Sequence, residues 1–194
     1  MEWIFSAMTL LYAGYVGALL IGWRRLETTV PGEPCAGEGI SVVVVIRNEA
    51  ENIGHLLDVL LHQEGIAGAF EILVVDDQSN DGSAAIVRSW QQKSRYVKLL
   101  QIGQSEMVYG SPKKAGILKA LHNASGNLIL VTDGDCIPGP GWVASMSALF
   151  RQRDTHFVSG PVQIRQKNGL WHRWQALEFA SLMGAGGAMI GLGF

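Results

Sequence analysis

Residues Ile40–Ile46 read ISVVVVI, six apolar side chains in seven positions with no alternation. A strand with one wet face alternates apolar and polar residues. A run this continuous predicts a strand covered on both faces, as in a parallel sheet. Phe70–Val75 and Leu128–Thr132 repeat the pattern, and Tyr96–Ile102 does so less cleanly. Helical spacing lies between them. Ile53, Leu56, Leu57, Leu60 and Leu61 give one apolar face after the first run, opened by Asn48-Glu49-Ala50-Glu51, which has the form of a capping box. Ala84–Trp90 follows the second run, a helix starting at Ser111-Pro112 follows the third, and Trp142–Arg151 follows the fourth. A further strand is expected over Thr155–Val162. Strands alternating with helices predict an α/β domain with a mostly parallel sheet and flanking helices.

Such sheets bind ligands beyond the carboxyl ends of their strands, and the charged residues fall there. Arg47 and Glu49 follow the first strand, Asp76 and Asp77 end the second, Lys114 follows the third, and Asp133-Gly134-Asp135 ends the fourth. In an extended chain Asp133 and Asp135 point to the same side, and Gly134 between them leaves the backbone open to a ligand. Two oxygen-bearing side chains at a strand end suit a hard divalent cation, Mg²⁺ or Mn²⁺, shared with substrate phosphates. The formal net charge is only −2 over 194 residues. No global field therefore draws in an anion, no basic block marks a nucleic-acid binder, and binding rests on local groups. Lys113 and Lys114 stand in the first turn of their helix, against its dipole, and an external anion would compensate them. Lys114 continues the spacing of Ile117, Leu118 and Leu121, which makes it the expected ligand contact over Lys113. Cys35 and Cys136 lie far apart and suggest neither zinc nor a disulfide framework.

The segments IRNEAENI, VVDDQSNDG, KKAGILKAL and VTDGDC, at these separations, resemble the inverting family 2 glycosyltransferases of the GT-A fold. The resemblance covers about Ile40 to the C-terminus. It implies a nucleoside-diphosphate sugar as donor, an Asp-x-Asp metal motif and a carbohydrate or lipid-linked acceptor. By motif match it implies Asp76 or Asp77 on the base, Lys114 on the nucleotide, Asp133 on the ribose or metal, and Asp135 as principal metal ligand. Arg47 and Glu49 match the family's first-strand nucleotide loop, although Val45 stands where that family often has proline. The family's catalytic carboxylate lies further along than Phe194, so the chain is expected to be an N-terminal fragment with its base beyond that residue. Asp154 and Glu178 read as surface positions.

Trp3–Trp23 has no charged residue. Twenty-one residues at about 1.5 Å each match the thickness of a bilayer's hydrocarbon core. Tryptophans at both ends and Arg24-Arg25 beyond predict a transmembrane anchor with its N-terminus outside and the rest of the chain cytoplasmic. The expected division is an anchor over 1–25, a Pro/Gly-rich linker over 26–39 and a transferase domain over 40–194. Leu170–Met183 reads as an amphipathic helix for packing or a membrane surface. GAGGAMIGLGF lacks the G-x-G-x-x-G order of a dinucleotide fingerprint. The expected function is transfer of a sugar in envelope polysaccharide or glycolipid synthesis. The alternatives are a nucleotide-sugar-binding module without transfer activity, and a sugar-phosphate nucleotidyltransferase, whose glycine-rich first loop Arg47-Asn48-Glu49 does not match.

Overall fold

The computed structural model describes residues 2–26, 39–66, 68–103, 111–152, 156–165 and 168–193. The linker lies almost wholly outside them, as does Asp154. The chain forms two compact units, residues 31–158 and residues 1–30 with 159–194.

The larger unit is built on β1 (Ile40–Ile46), β2 (Phe70–Asp76), β3 (Val97–Gln101) and β4 (Leu128–Asp133), with α2 (Ile53–Leu61), α3 (Ser83–Lys93), α4 (Pro112–Asn123) and α5 (Trp142–Gln152) between and after them; α1 belongs to the other unit. The sheet order is β3-β2-β1-β4, and every pairing is parallel. The continuous β-branched runs occupy the two central strands, where Val42, Val43, Val44, Ile72, Leu73 and Val74 are fully buried. Each such side chain contributes about 1.5–3 kcal/mol relative to exposure. Side chains alternate between two cores. Val42, Val44, Ile46, Ile72 and Val74 pack with Ile53, Leu56, Leu57 and Leu60 of α2 and Val87 of α3. Val43, Leu73 and Val75 pack with Ala115 and Ala120 of α4. Alternate residues of one strand thus face α2 and α3 on one side and α4 on the other.

At the amino ends of the strands, buried Glu71 gathers four hydrogen bonds. Its carboxylate accepts from Ser41 Oγ (2.5 Å), Ser125 N (2.6 Å), Ser125 Oγ (2.7 Å) and Lys98 Nζ (2.7 Å). Burial pushes its pKa up, but Lys98 and the serine donors outweigh that and hold it at about 2. One carboxylate therefore ties β1, β2, β3 and the approach to β4.

Three expectations need correction. No strand forms over 156–165; Phe157 is 81% exposed, and Gly160-Pro161 removes a ladder donor from the run. The capping box does not form either. α2 begins at Ile53 after Asn52, and Asn48 adopts a left-handed conformation (φ 57°). β4 is an edge strand, so its outer half is not buried as a central strand would be, and Val131 is 44% exposed.

The smaller unit pairs α1 (Glu2–Arg25) with α6 (Leu170–Leu192). α1 is long and apolar enough to cross a membrane. α6 runs nine residues beyond the helix expected from its spacing and takes in the glycine-rich stretch. Gly22 fits against Ala188 and Leu192, and Gly191 against the Gly22 carbonyl; a Cβ on Gly22 would lie 2.1 Å from the Ala188 oxygen. Those glycines serve close helix contact.

Candidate active site

Beyond the carboxyl ends of β1, β2 and β4 lies an open cleft of roughly 470 Å³, within the size range of small-ligand sites. β1 and its loop contribute Val45, Ile46, Arg47 and Glu49, and the loop after β2 contributes Asp77. The start of α4 contributes Ser111, Pro112 and Lys113, and β4 contributes Asp133, Gly134 and Asp135. Residues from four separate stretches of sequence meet because the parallel connections return every strand in the same direction.

The loops after β1 and β2 are braced against each other. Asn48 N donates to Ser79 Oγ (2.9 Å), Asn80 N to Asn48 Oδ1 (2.9 Å), Glu49 N to Ser83 Oγ (2.8 Å) and Ala50 N to Asp81 Oδ2 (2.9 Å). The Ser83 hydroxyl and the backbone N–H groups of Ala50 and Ser83 hold the Asp81 carboxyl below its ordinary pKa. Asn48 and Gln78, one in each loop, both have positive φ (57° and 54°). Non-glycine residues stay in that region only where their surroundings hold them there. Asn80, Asp81 and Ser83 are common turn and capping residues, and their cross-loop partners lie some thirty residues away in sequence.

The adjacent aspartates at the end of β2 have separate environments. Asp76 Oδ1 accepts from Ser79 N (3.1 Å), Asp76 Oδ2 accepts from Gln101 Nε2 (3.4 Å), and the residue does not line the cleft. Asp77 lines it. Its Oδ2 meets Arg47 Nη1 at 3.5 Å, while its Oδ1 is buried with no hydrogen-bond partner, the one such side-chain atom among the described residues. A buried acceptor without a donor costs about 1–3 kcal/mol. An unpartnered acceptor on a residue that lines the cleft makes Asp77 a candidate ligand contact.

Asp133 and Asp135 both line the cleft, but they do not converge along an extended chain. The backbone turns after Asp133, and Cys136 N donates to the Asp133 carbonyl (3.2 Å). Gly134 allows this turn to press on β1, since a Cβ there would lie 3.0 Å from Glu49 Cγ and from Ile46 Cγ2. Among the described residues no three histidine, cysteine or carboxylate side chains form a metal cage. Two accessible carboxylates fit a hard cation that keeps several positions for water and phosphate, and do not fit one needing a closed protein shell.

The spacing reading of α4 misplaced its core face. The buried residues are Ala115, Gly116 and Ala120, and Leu121 is exposed. Lys114 is exposed and does not line the cleft; Lys113 does, with its Nζ 2.5 Å from Asp133 Oδ1. Small residues at 115, 116 and 120 were the available signal: they let the helix lie against Val45, where a Cβ on Gly116 would come within 2.7 Å. Glu178 belongs to α6, in the other unit.

A parallel sheet flanked by helices, with a carboxylate-lined cleft at its strand ends, is the architecture of the GT-A nucleotide-diphosphosugar transferases. The chain belongs to glycosyl transferase family 2, whose model matches residues 41–185. It is 28% identical over 130 residues to glycosyltransferase AglE of Haloferax volcanii, covering 67% of this chain and 41% of that protein. It is 28% identical over 137 residues to an undecaprenyl-phosphate 4-deoxy-4-formamido-L-arabinose transferase of Salmonella choleraesuis, covering 69% and 39%. Among solved structures, the mannosyltransferase PcManGT of Pyrobaculum calidifontis, in complex with GDP-Man and Mn²⁺, superposes with a TM-score of 0.57 at 25% identity, covering 74% of this chain and 43% of that one. The chain thus spans about two fifths of the length of these relatives.

Proposed function

We propose that this chain carries the donor-binding part of an inverting glycosyltransferase that uses a nucleoside-diphosphate sugar. The observation that supports this most directly is one cleft lined by Asp77, which carries an unpartnered carboxylate oxygen, the Asp133/Asp135 pair and Lys113. In this assignment Asp77 Oδ1 accepts an N–H from the nucleobase, and Arg47 and Glu49 border the nucleotide. Asp133 and Asp135 hold a divalent cation, Mn²⁺ or Mg²⁺, with Asp135 as principal ligand. Lys113 faces the phosphates in place of Lys114. A cation bound there supplies positive charge opposite the diphosphate. PcManGT, which holds GDP-Man and Mn²⁺, supports a nucleoside-diphosphate sugar and a divalent cation as the ligands.

Inversion follows when an acceptor hydroxyl attacks the anomeric carbon from the side opposite the diphosphate. The new carbon–oxygen bond forms as the bond to the diphosphate breaks, and the hydroxyl proton passes to a base. None of the cleft carboxylates is assigned that base. The undecaprenyl-phosphate transferase among the relatives supports a lipid-linked acceptor in envelope polysaccharide or glycolipid synthesis. α1 then anchors the protein in the membrane, with Arg24 and Arg25 on the cytoplasmic side. The domains would be an anchor over 1–25, a linker over 26–39 and donor-binding residues from 40 onward.

The test is calorimetric titration of UDP and GDP into the detergent-solubilised chain with Mn²⁺. Asp135→Ala should abolish Mn²⁺-dependent binding. Equal affinity in Mn²⁺ and in EDTA would remove the metal from the proposal.

A further inference from the structure

We propose that Lys113 is a resident counter-ion for Asp133, which a metal-bound nucleoside diphosphate must displace; the site therefore responds to the metal–diphosphate pair and resists the metal alone. This rests on the function proposed above.

Lys113 Nζ lies 2.5 Å from Asp133 Oδ1, on the side chain assigned to the cation. The lysine and aspartate side chains are 58% and 55% exposed, so the pair is screened by water and easily exchanged. Only the side chain need move. α4 is held on the sheet by buried Ala115 and Ala120 and by the contact of Gly116 with Val45. Nothing in the first turn of α4 competes for the ammonium group, since that turn contains no acidic residue. Ser111 makes no side-chain cap, so the amino end of the helix is free to face an anion. Asp133 answers the lysine in the free protein. An arriving diphosphate offers the same negative charge at the same place, takes over Lys113, and releases Asp133 to the cation. The cleft holds Arg47 and Lys113 against Glu49, Asp77, Asp133 and Asp135, a formal charge of −2 that becomes −3 without the lysine. Removing Lys113 should therefore help a bare cation and harm a diphosphate. A lysine that merely stabilised the fold would have no such opposed effects.

The experiment measures MnCl₂ binding to the full chain in detergent by the loss of the free Mn²⁺ resonance, alone and with UDP or GDP. Wild type should bind Mn²⁺ weakly alone and more tightly with one of the diphosphates, and linkage requires the reciprocal gain for the nucleotide. Lys113→Met should bind Mn²⁺ alone about two- to fivefold more tightly, as release from an exposed ion pair allows. It should bind the diphosphate in Mn²⁺ about tenfold more weakly, for want of a charged hydrogen-bond donor. Lys113→Arg should fall between the two. If Lys113→Met leaves Mn²⁺ affinity unchanged or weaker, while Asp135→Ala abolishes it, the metal site stands and the counter-ion role falls. If Asp135→Ala also changes nothing, the metal site itself is wrong and the counter-ion role goes with it.

Discussion

Asp77→Ala separates ligand binding from stability at one residue. In the free protein the Asp77 carboxylate is buried, with one oxygen unpartnered and the other 3.5 Å from an Arg47 side chain that is 61% exposed. Removing it relieves a penalty of about 1–3 kcal/mol for the lone acceptor. It gives up an ion pair worth about 0–1 kcal/mol, together with the packing of the carboxylate group. The relief exceeds the ion-pair loss by about 0–3 kcal/mol before the lost packing is set against it, so the variant should unfold no more than about 3 °C below wild type. Binding has no such offset. A hydrogen bond to a charged group contributes about 1.5–3 kcal/mol, so affinity for the preferred nucleoside diphosphate should fall about ten- to a hundredfold. Calorimetric titration with Mn²⁺ and a thermal unfolding scan without ligand give both quantities on one preparation. An affinity loss under about threefold, outside the range of a charged hydrogen bond, would show that Asp77 Oδ1 meets no ligand donor. A large loss of unliganded stability would make Asp77 a structural residue like Asp76.

Glu71→Gln should destabilise the fold at pH 7 and progressively less in acid. The folded carboxyl is held at about 2 against an ordinary 4.5, which corresponds to about 3 kcal/mol, nearer 2 after screening at half-exposed Lys98. Because the folded pKa is depressed, that stability is fully present above about pH 4.5 and is lost as pH falls toward 2. Denaturant unfolding of wild type and variant at several pH values should show the gap closing across that window, and a constant gap would refute the assignment. In the smaller unit, Gly22→Val should drive α1 from α6, since even a Cβ lies 2.1 Å from the Ala188 carbonyl. Amide exchange at 187–191 should quicken, and unchanged protection would show that the contact is not held.

The central strands of the sheet were legible because covered strands carry a clear local pattern: the β1 run, Ile40–Ile46, is the observed strand to the residue. The rim was legible for the same reason, since parallel strands must all end their charged loops on one side. Partners were not. Asp76 and Asp77 are neighbours in sequence with equal chemistry, and only Gln101 and Ser79 beside one, with Arg47 beside the other, separate them. Thr155–Val162 had a strand's composition, but a strand exists only if an edge accepts it.

Lys113 and Lys114 show where local pattern gives out. The amino-acid sequence determined that a helix begins at Pro112 with two lysines in its first turn. Which lysine enters the cleft depended on the rotation of that helix on the sheet. Gly116 and Val45 set that rotation by close contact, and they are brought together only once β1 and α4 have packed. Patterns along the chain fix which elements form, because propensity and periodicity are local. The facing of a side chain is a property of the packed layers, because it is decided by volume shared between residues far apart in sequence.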